Sequence, residues 1–486
     1  MRTIVIVVLT SILNGASGLL YADEFKSYAP YYTVAGSHQS YLMLSNNSQI
    51  DKAVAITLFS PSGKPFQPPS IMVKGRSFQA LPITDLLGRG HLADFATGHI
   101  EIAVESRSPY AVAAALLVQD TSSKTSYTVE FGQRSSDSEL AGIVWKPTRS
   151  ADSKVVITNI APRSVRVEII VKDGRRFSKR NLVLNPFGER DVVFESFAPT
   201  SNKPTAVAIS HDGTPGDVIA LGLVMDALTG FSTTLAFTKS TPVNVIYAVG
   251  PLIGQQLVSE GGEYRTFTSV LLMVNLDSSP AIGYGVLRYH YAGTQHESVF
   301  ALTLDPLEEK TVEVPNPPEG RTRPITSAAL EVRFTGRHNV IIRAFASDES
   351  GDMALELPLR SPSDAVNSAG GYPWEIGGDT TAVAIIQNTS DQPAVLRYCV
   401  YFAGGKYVPD AITVSPRSAV EININRLRIQ PDVLGATLPK TVTSGQFLWY
   451  QEFPSGALVG KMLHLKPRDG IAFSACKRRV LRRYPG

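Results

Sequence analysis

The sequence predicts an all-β chain: four tandem antiparallel β-sandwich (Ig-like) domains behind a signal peptide. Three observations carry this. First, an apolar strand that ends in asparagine and a polar turn recurs at Asn46, Asn159, Asn275 and Asn388. The asparagines lie 113, 116 and 113 residues apart, so four periods fill the chain after residue 22. Second, two further markers keep register with the first. A glycine turn follows 15 to 18 residues later at Gly63, Gly174, Gly293 and Gly405. A tight turn follows 27 to 31 residues later at Lys74-Gly75, Asn185-Pro186, Asp305-Pro306 and Ser415-Pro416. Third, six or seven short strands with turns every few residues fit each period, which is the pattern of a sandwich.

Each element has a local reason. The marker asparagine can bond the backbone just ahead of it and tolerates left-handed geometry, so it ends a strand cleanly. Asn46 and Asn388 also head glycan-acceptor triplets, read here as turn chemistry. Within a repeat, strands such as 53–59 and 166–171 run into glycine turns, and Asp173-Gly174 is a hairpin signal. The second half of each repeat supplies two more strands, for example 205–210 and 218–224. Helical periodicity surfaces weakly, near 83–87 and 425–427. The Cys…Trp…Cys spacing of antibody domains is absent, so the likeness to them is architectural.

The expected organisation is a signal peptide over 1–22, sandwiches over 23–133, 134–240, 241–362 and 363–478, and a basic tail over 479–486. The leader joins Arg2, an apolar run over 4–9 and small residues up to Ala22, where cleavage is expected. That run is too short to span a bilayer, and no later window is long enough, so no transmembrane segment is expected in the mature chain. Each sandwich can bury its own core, so the expectation is four beads in line, joined by short linkers near 134–139, 239–242 and 361–371.

Charge and composition exclude several function classes. The formal net charge is +3, from 46 basic and 43 acidic side chains, which excludes a strong field for nucleic acid. The basic excess is local: Lys477, Arg478, Arg479, Arg482 and Arg483 cluster at the C-terminus, where they are solvated or touch acidic polymer. The two cysteines, Cys399 and Cys476, fall in one sandwich of an exported chain and are expected to form a disulfide.

No nucleophile elbow, phosphate loop, zinc-protease or calcium-hand motif occurs, so no cofactor and no catalytic residue is expected. Ser474 and Lys477 match a serine–lysine spacing without its partner motifs. His290 and His296 flank a turn and are weak metal candidates; Asp348, Glu349 and Asp352, and the pair Asp212 and Asp217, read as solvated acidic turns. Trp145 and Trp374 occupy equivalent places in repeats two and four, where they either plug the sandwich or stack on sugar.

The segments Asp217-Val-Ile-Ala-Leu-Gly-Leu-Val-Met-Asp226, Thr229-Gly-Phe-Ser232 and Gln387-Asn-Thr-Ser-Asp-Gln-Pro393 resemble uncharacterised exported bacterial proteins built of tandem immunoglobulin-like or fibronectin-like sandwiches. The resemblance spans the mature chain and implies an exported bacterial protein, with no assigned activity. The functional expectation is a non-catalytic secreted or cell-surface protein that presents sandwich modules to a cell-wall polymer, glycan or surface protein. The alternatives are a carbohydrate-binding exported protein and a polysaccharide-active enzyme.

Overall fold

The computed structural model describes residues 23–475, apart from 107, 109–110, 123–124, 133, 135–136, 149, 174–175, 194–202, 229–230, 240, 258–263, 319–324, 326, 350–353, 363–368, 379, 453–455 and 467–470. The leader 1–22, Cys476 and the basic tail lie outside the described residues.

The chain is all-β, and the strands form eight antiparallel sheets in four consecutive pairs. The second repeat is the plainest copy. Its strands are Glu139–Val144, Asp152–Asn159, Val165–Asp173, Arg176–Leu184, Glu189–Val193, Thr205–His211, Val218–Asp226 and Phe231–Ala236. Numbered one to eight, they make sheets of order 1-6-3-4 and 5-2-7-8. The other three sheet pairs keep both orders. Repeats one and four split the fourth strand into two short pieces, Pro65–Phe66 with Ile71–Val73, and Gly405–Tyr407 with Ile412–Val414. Among the described residues an α-helical turn at Ile83–Leu87 and a 3-10 turn at Ile424–Arg428 each follow directly on strand five.

The marker asparagine does the same thing four times. It closes strand two, is fully buried, and donates its amide to the carbonyl four residues on and to a carbonyl of the turn before strand five. Asn159 Nδ2 donates to Arg163 O and Asn185 O, each at 2.7 Å, while its Oδ1 accepts from Ala161 N at 2.9 Å. Asn46, Asn275 and Asn388 repeat this with Ile50 and Val73, Ser279 and Asp305, and Gln392 and Ser415. One side chain thus pins the two turns at one end of the sandwich. The buried amides of Asn46 and Asn388 leave no nitrogen outward for a glycan.

The packing overturns the expectation of beads in line. The core of repeat one includes Val156, Leu221 and Leu223 of repeat two. The core of repeat three includes Val383, Ile385 and Leu463 of repeat four. A third cluster joins Ile143, Trp145 and Phe231 of repeat two to Leu272, Val274 and Phe345 of repeat three. The reason lies in strands two and seven. They are apolar on both faces, so the 5-2-7-8 sheet buries its inner face in its own sandwich and its outer face against the first strand of the preceding repeat.

The chain of contacts closes. The eighth strand of repeat one, Thr125–Glu130, touches Phe231–Ala236 of repeat two. That strand touches Ala354–Leu357 of repeat three, which touches Ile471–Ala475 of repeat four, which returns to Thr125–Glu130. Repeat four also bonds repeat one directly: Gln446 Nε2 donates to Ser45 Oγ at 2.8 Å and to Asn47 Oδ1. Head-to-tail contacts close into a ring when the rotation allows, and four related units in one chain do so here. At the junction of repeats three and four, Gly250 has φ +68°, and a β-carbon there would meet Ile385 Cδ1 and Lys461 Cε at 2.7 Å.

Replacing the marker amide tests its role. Asn159→Asp keeps an acceptor but loses both donors and sets a carboxylate against two carbonyls. It is expected to lower stability by about 3 kcal/mol, read as an earlier denaturant midpoint. An unchanged midpoint would contradict the pinning role.

Candidate functional site

The functional groups of this molecule concentrate at the junctions and where the junctions meet. Each turn before strand five contains a non-glycine residue in left-handed geometry: Arg76, Phe187, Leu307 and Arg417, with φ between 51° and 61°. Its backbone N–H bonds the carbonyl two residues past the marker asparagine in every copy: Ser48, Ala161, Asp277 and Ser390. The twist aims three of these side chains at the preceding repeat. The Arg76 guanidinium lies over the Tyr401 ring at 5.0 Å. Phe187 stacks on Phe59 at 4.9 Å. Arg417 donates to Tyr247 OH at 3.0 Å and lies 3.7 Å from the buried carboxylate of Glu331.

The eighth strands present unpaired sheet edges, and side chains of neighbouring repeats satisfy them. Ser232 Oγ donates to Ser126 O at 2.5 Å, and Thr234 Oγ1 donates to Thr128 O at 3.0 Å. Arg343 Nε donates to Ala236 O at 2.9 Å, and the Ala236 N–H bonds the Glu356 carboxylate. Arg343 and Glu356 thereby take the C=O and N–H that Ala236 turns to the open edge, as a ninth strand would.

A cavity of about 450 Å³ opens where these strands converge. Repeat one lends it Thr128 and Glu130, repeat two Ser232, Thr234 and Thr238, and repeat three Arg343, Glu356 and Arg360. Thr128 Oγ1 and Arg360 Nε are buried there without a hydrogen-bond partner in the protein. Burial pushes the Glu356 carboxyl up to about 7, against the pull of Arg343 and with the charge of Glu130 adding to the rise. The cavity therefore holds hydroxyls, two guanidinium groups, one carboxylate and one carboxyl that gains a proton near neutrality. Such a set can bind a small polar molecule.

Two further perturbed ionisable groups, buried Lys461 and partly buried Glu421, sit at the junction of repeats three and four. Lys461 is 1% exposed, and burial depresses its pKa far below the ordinary lysine value, with Glu421 opposing. Burial pushes Glu421 up to about 8, against Arg426 and Lys461.

The residues singled out from sequence fall elsewhere. Trp374 is fully buried and donates Nε1 to Tyr401 O at 3.2 Å; Trp145 is 8% exposed and packs on Phe231 of its own repeat and on Phe345 across the second junction. Neither ring has an open face, so neither can stack on a sugar. Cys399 is a free thiol on the outward face of strand three, and Cys476, its expected partner, lies outside the described residues. His290 Nδ1 lies 3.0 Å from Ser327 Oγ, and His296 stacks on Tyr289. Among the described residues no group of three or more His, Cys, Asp or Glu could hold a metal. Two of the acidic turn residues are not solvated. Asp348 is buried and meets Arg265 at 3.0 Å. Burial tends to raise the Asp217 carboxyl, but the Arg163 guanidinium and the Thr214 amide outweigh it and hold the pKa below the usual range. Ser474 lies in the eighth strand of repeat four; Asp352 and Lys477 lie outside the described residues. No described helix is long and apolar enough to cross a membrane.

Glu356 gives the site a pH dependence of definite sign. Its folded pKa is above its unfolded one, so between about pH 4.5 and 7 the folded state binds more protons and stability falls as pH rises. Glu356→Gln mimics the protonated carboxyl. The variant is expected to melt with wild type near pH 4.5 and above it from pH 7 upward, by up to about 3 kcal/mol. A constant gap across that range would contradict the assignment.

Comparison with known proteins places no family on this chain: no family model, curated protein or solved structure matches it.

Proposed function

We propose that this chain is a non-catalytic exported scaffold of four immunoglobulin-like domains that presents its outer sheets and edge strands to a protein or cell-wall polymer partner. One observation carries the reading. Buried polar side chains such as Gln446, Ser232 and Thr234 join the repeats, while two long sheet edges, Arg176–Leu184 and Thr294–Leu304, are left at the ends of their sheets. The leader sequence supports export, and the mature protein would begin at Asp23. The test uses the mature protein, residues 23–486, sedimented with cell-wall material and with intact cells. It is expected to bind without releasing soluble sugar. Release of reducing ends would contradict the reading, as would retention of the full-length chain in the cytoplasm.

A second reading, binding of a small neutral hydroxylated ligand, is favoured by the hydroxyl-lined cavity. Here Thr128 Oγ1 and Arg360 Nε would gain the partners the protein does not give them. Saturation-transfer NMR with glucose, N-acetylglucosamine and cellobiose would report it, and a signal abolished by Thr128→Val would support it.

A further inference from the structure

The two long edges differ from the other two, and the difference has a chemical sense. Sheet edges carry unpaired backbone groups that invite another chain, and proteins usually blunt them. Repeats one and four do so by breaking the fourth strand, in repeat one with Pro65 inside it. Repeat two does not. Its fourth strand, Arg176–Leu184, pairs over all nine residues with Val165–Asp173 and, among the described residues, with no strand on its other side.

The outward backbone groups can be assigned. Arg166 O accepts from Asp212 N, so the backbone of Arg166 faces strand six and its partner Val183 faces away from strand three. By the alternation of an antiparallel ladder, Phe177, Lys179, Asn181 and Val183 turn their N–H and C=O groups to the open edge. Phe177 and Val183 are also 65% and 57% exposed. The strand carries Arg176, Lys179 and Arg180 and no acidic residue. Lys179 meets one carboxylate, Glu168 of the neighbouring strand, at 2.5 Å. The edge is therefore basic, with an exposed apolar residue toward each end. A second copy would bring cations against cations across the new ladder, which is unfavourable. An acidic strand meets the opposite condition.

We propose that the outer edge of Arg176–Leu184 is a docking strand for an extended acidic segment of a partner protein, added to the 1-6-3-4 sheet of repeat two as a further antiparallel strand. The partner's apolar side chains cover Phe177 and Val183 on the face they share with the Lys179 stem, and its carboxylates lie on the opposite face beside Arg180. The edge of repeat three, Thr294–Leu304, carries Glu297 and His296 in place of the cations and serves as an internal control. The inference rests on the reading of the chain as a scaffold that presents modules to a protein partner.

The test uses the mature protein and two blocked nine-residue peptides, one of alternating valine and glutamate, the other of alternating valine and lysine. Fluorescence anisotropy measures binding, and hydrogen exchange reads the amides of residues 177, 179, 181 and 183. The glutamate peptide is expected to bind and slow exchange at those amides, and the lysine peptide is not. The double variant Lys179→Glu, Arg180→Glu is expected to weaken the glutamate peptide about tenfold and admit the lysine peptide. Asn181→Pro removes one outward N–H and leaves the ladder to strand three intact, so it is expected to abolish binding. The proposal is overturned if neither peptide binds, if both bind equally, if protection appears at 294–304 instead, or if Asn181→Pro binds like wild type. Peptide silence alongside retained cell-wall binding removes this edge alone; loss of cell-wall binding removes the scaffold reading itself.

Discussion

A sheet edge leaves a row of backbone N–H and C=O groups without partners, and each of the four repeats ends its 5-2-7-8 sheet on one. The closed circuit of eighth strands meets that constraint. Each edge is covered by its neighbours, and the contact between Ile471–Ala475 and Thr125–Glu130 leaves no first or last member. Side chains complete what the strands cannot reach. Ser232 and Thr234 bond carbonyls of repeat one, and Arg343 with Glu356 satisfies the backbone C=O and N–H of Ala236 in repeat two. The cost is a partly buried carboxyl raised to about 7 in a polar cavity.

The same closure explains why the repeats are alike in topology and unlike in detail. Four junctions of one design hold different chemistry: a cation over Tyr401, a Phe59–Phe187 stack, Trp145 on Phe345, and Arg417 between Tyr247 and Glu331. Identical junctions would let any repeat pair with any other. Distinct ones favour a single order, since a wrong neighbour leaves a buried charge or a ring unmatched. The left-handed turn residue is the shared device that delivers three of these contacts, and its strain is offset by the hydrogen bond from its N–H, repeated in all four copies.

The period, the strand content and the asparagine were legible in the sequence because each is local. Asn159 bonds Ala161 and Arg163 within four residues, and spacing reveals such a pattern. The closure was not local, yet it left a trace. Strands such as Ala384-Ile-Ile and Leu271-Leu-Met-Val do not alternate, which signals burial on both faces. A sandwich standing alone would show alternation there. Trp145 and Trp374 left two readings open in the sequence, because a large aromatic at a repeat boundary suits a ligand platform as well as a plug, and only packing distinguishes the two. The cavity residues gave no signal, since Glu130, Thr234 and Glu356 belong to three different repeats and only the ring brings them together.

Small-angle scattering on residues 23–486 tests the closed circuit most directly. A compact body of this length has a radius of gyration of about 23 Å. The ring predicts a value close to that, unchanged by salt. Four sandwiches in line would give roughly twice as much, and that result would contradict the closure on which this account depends.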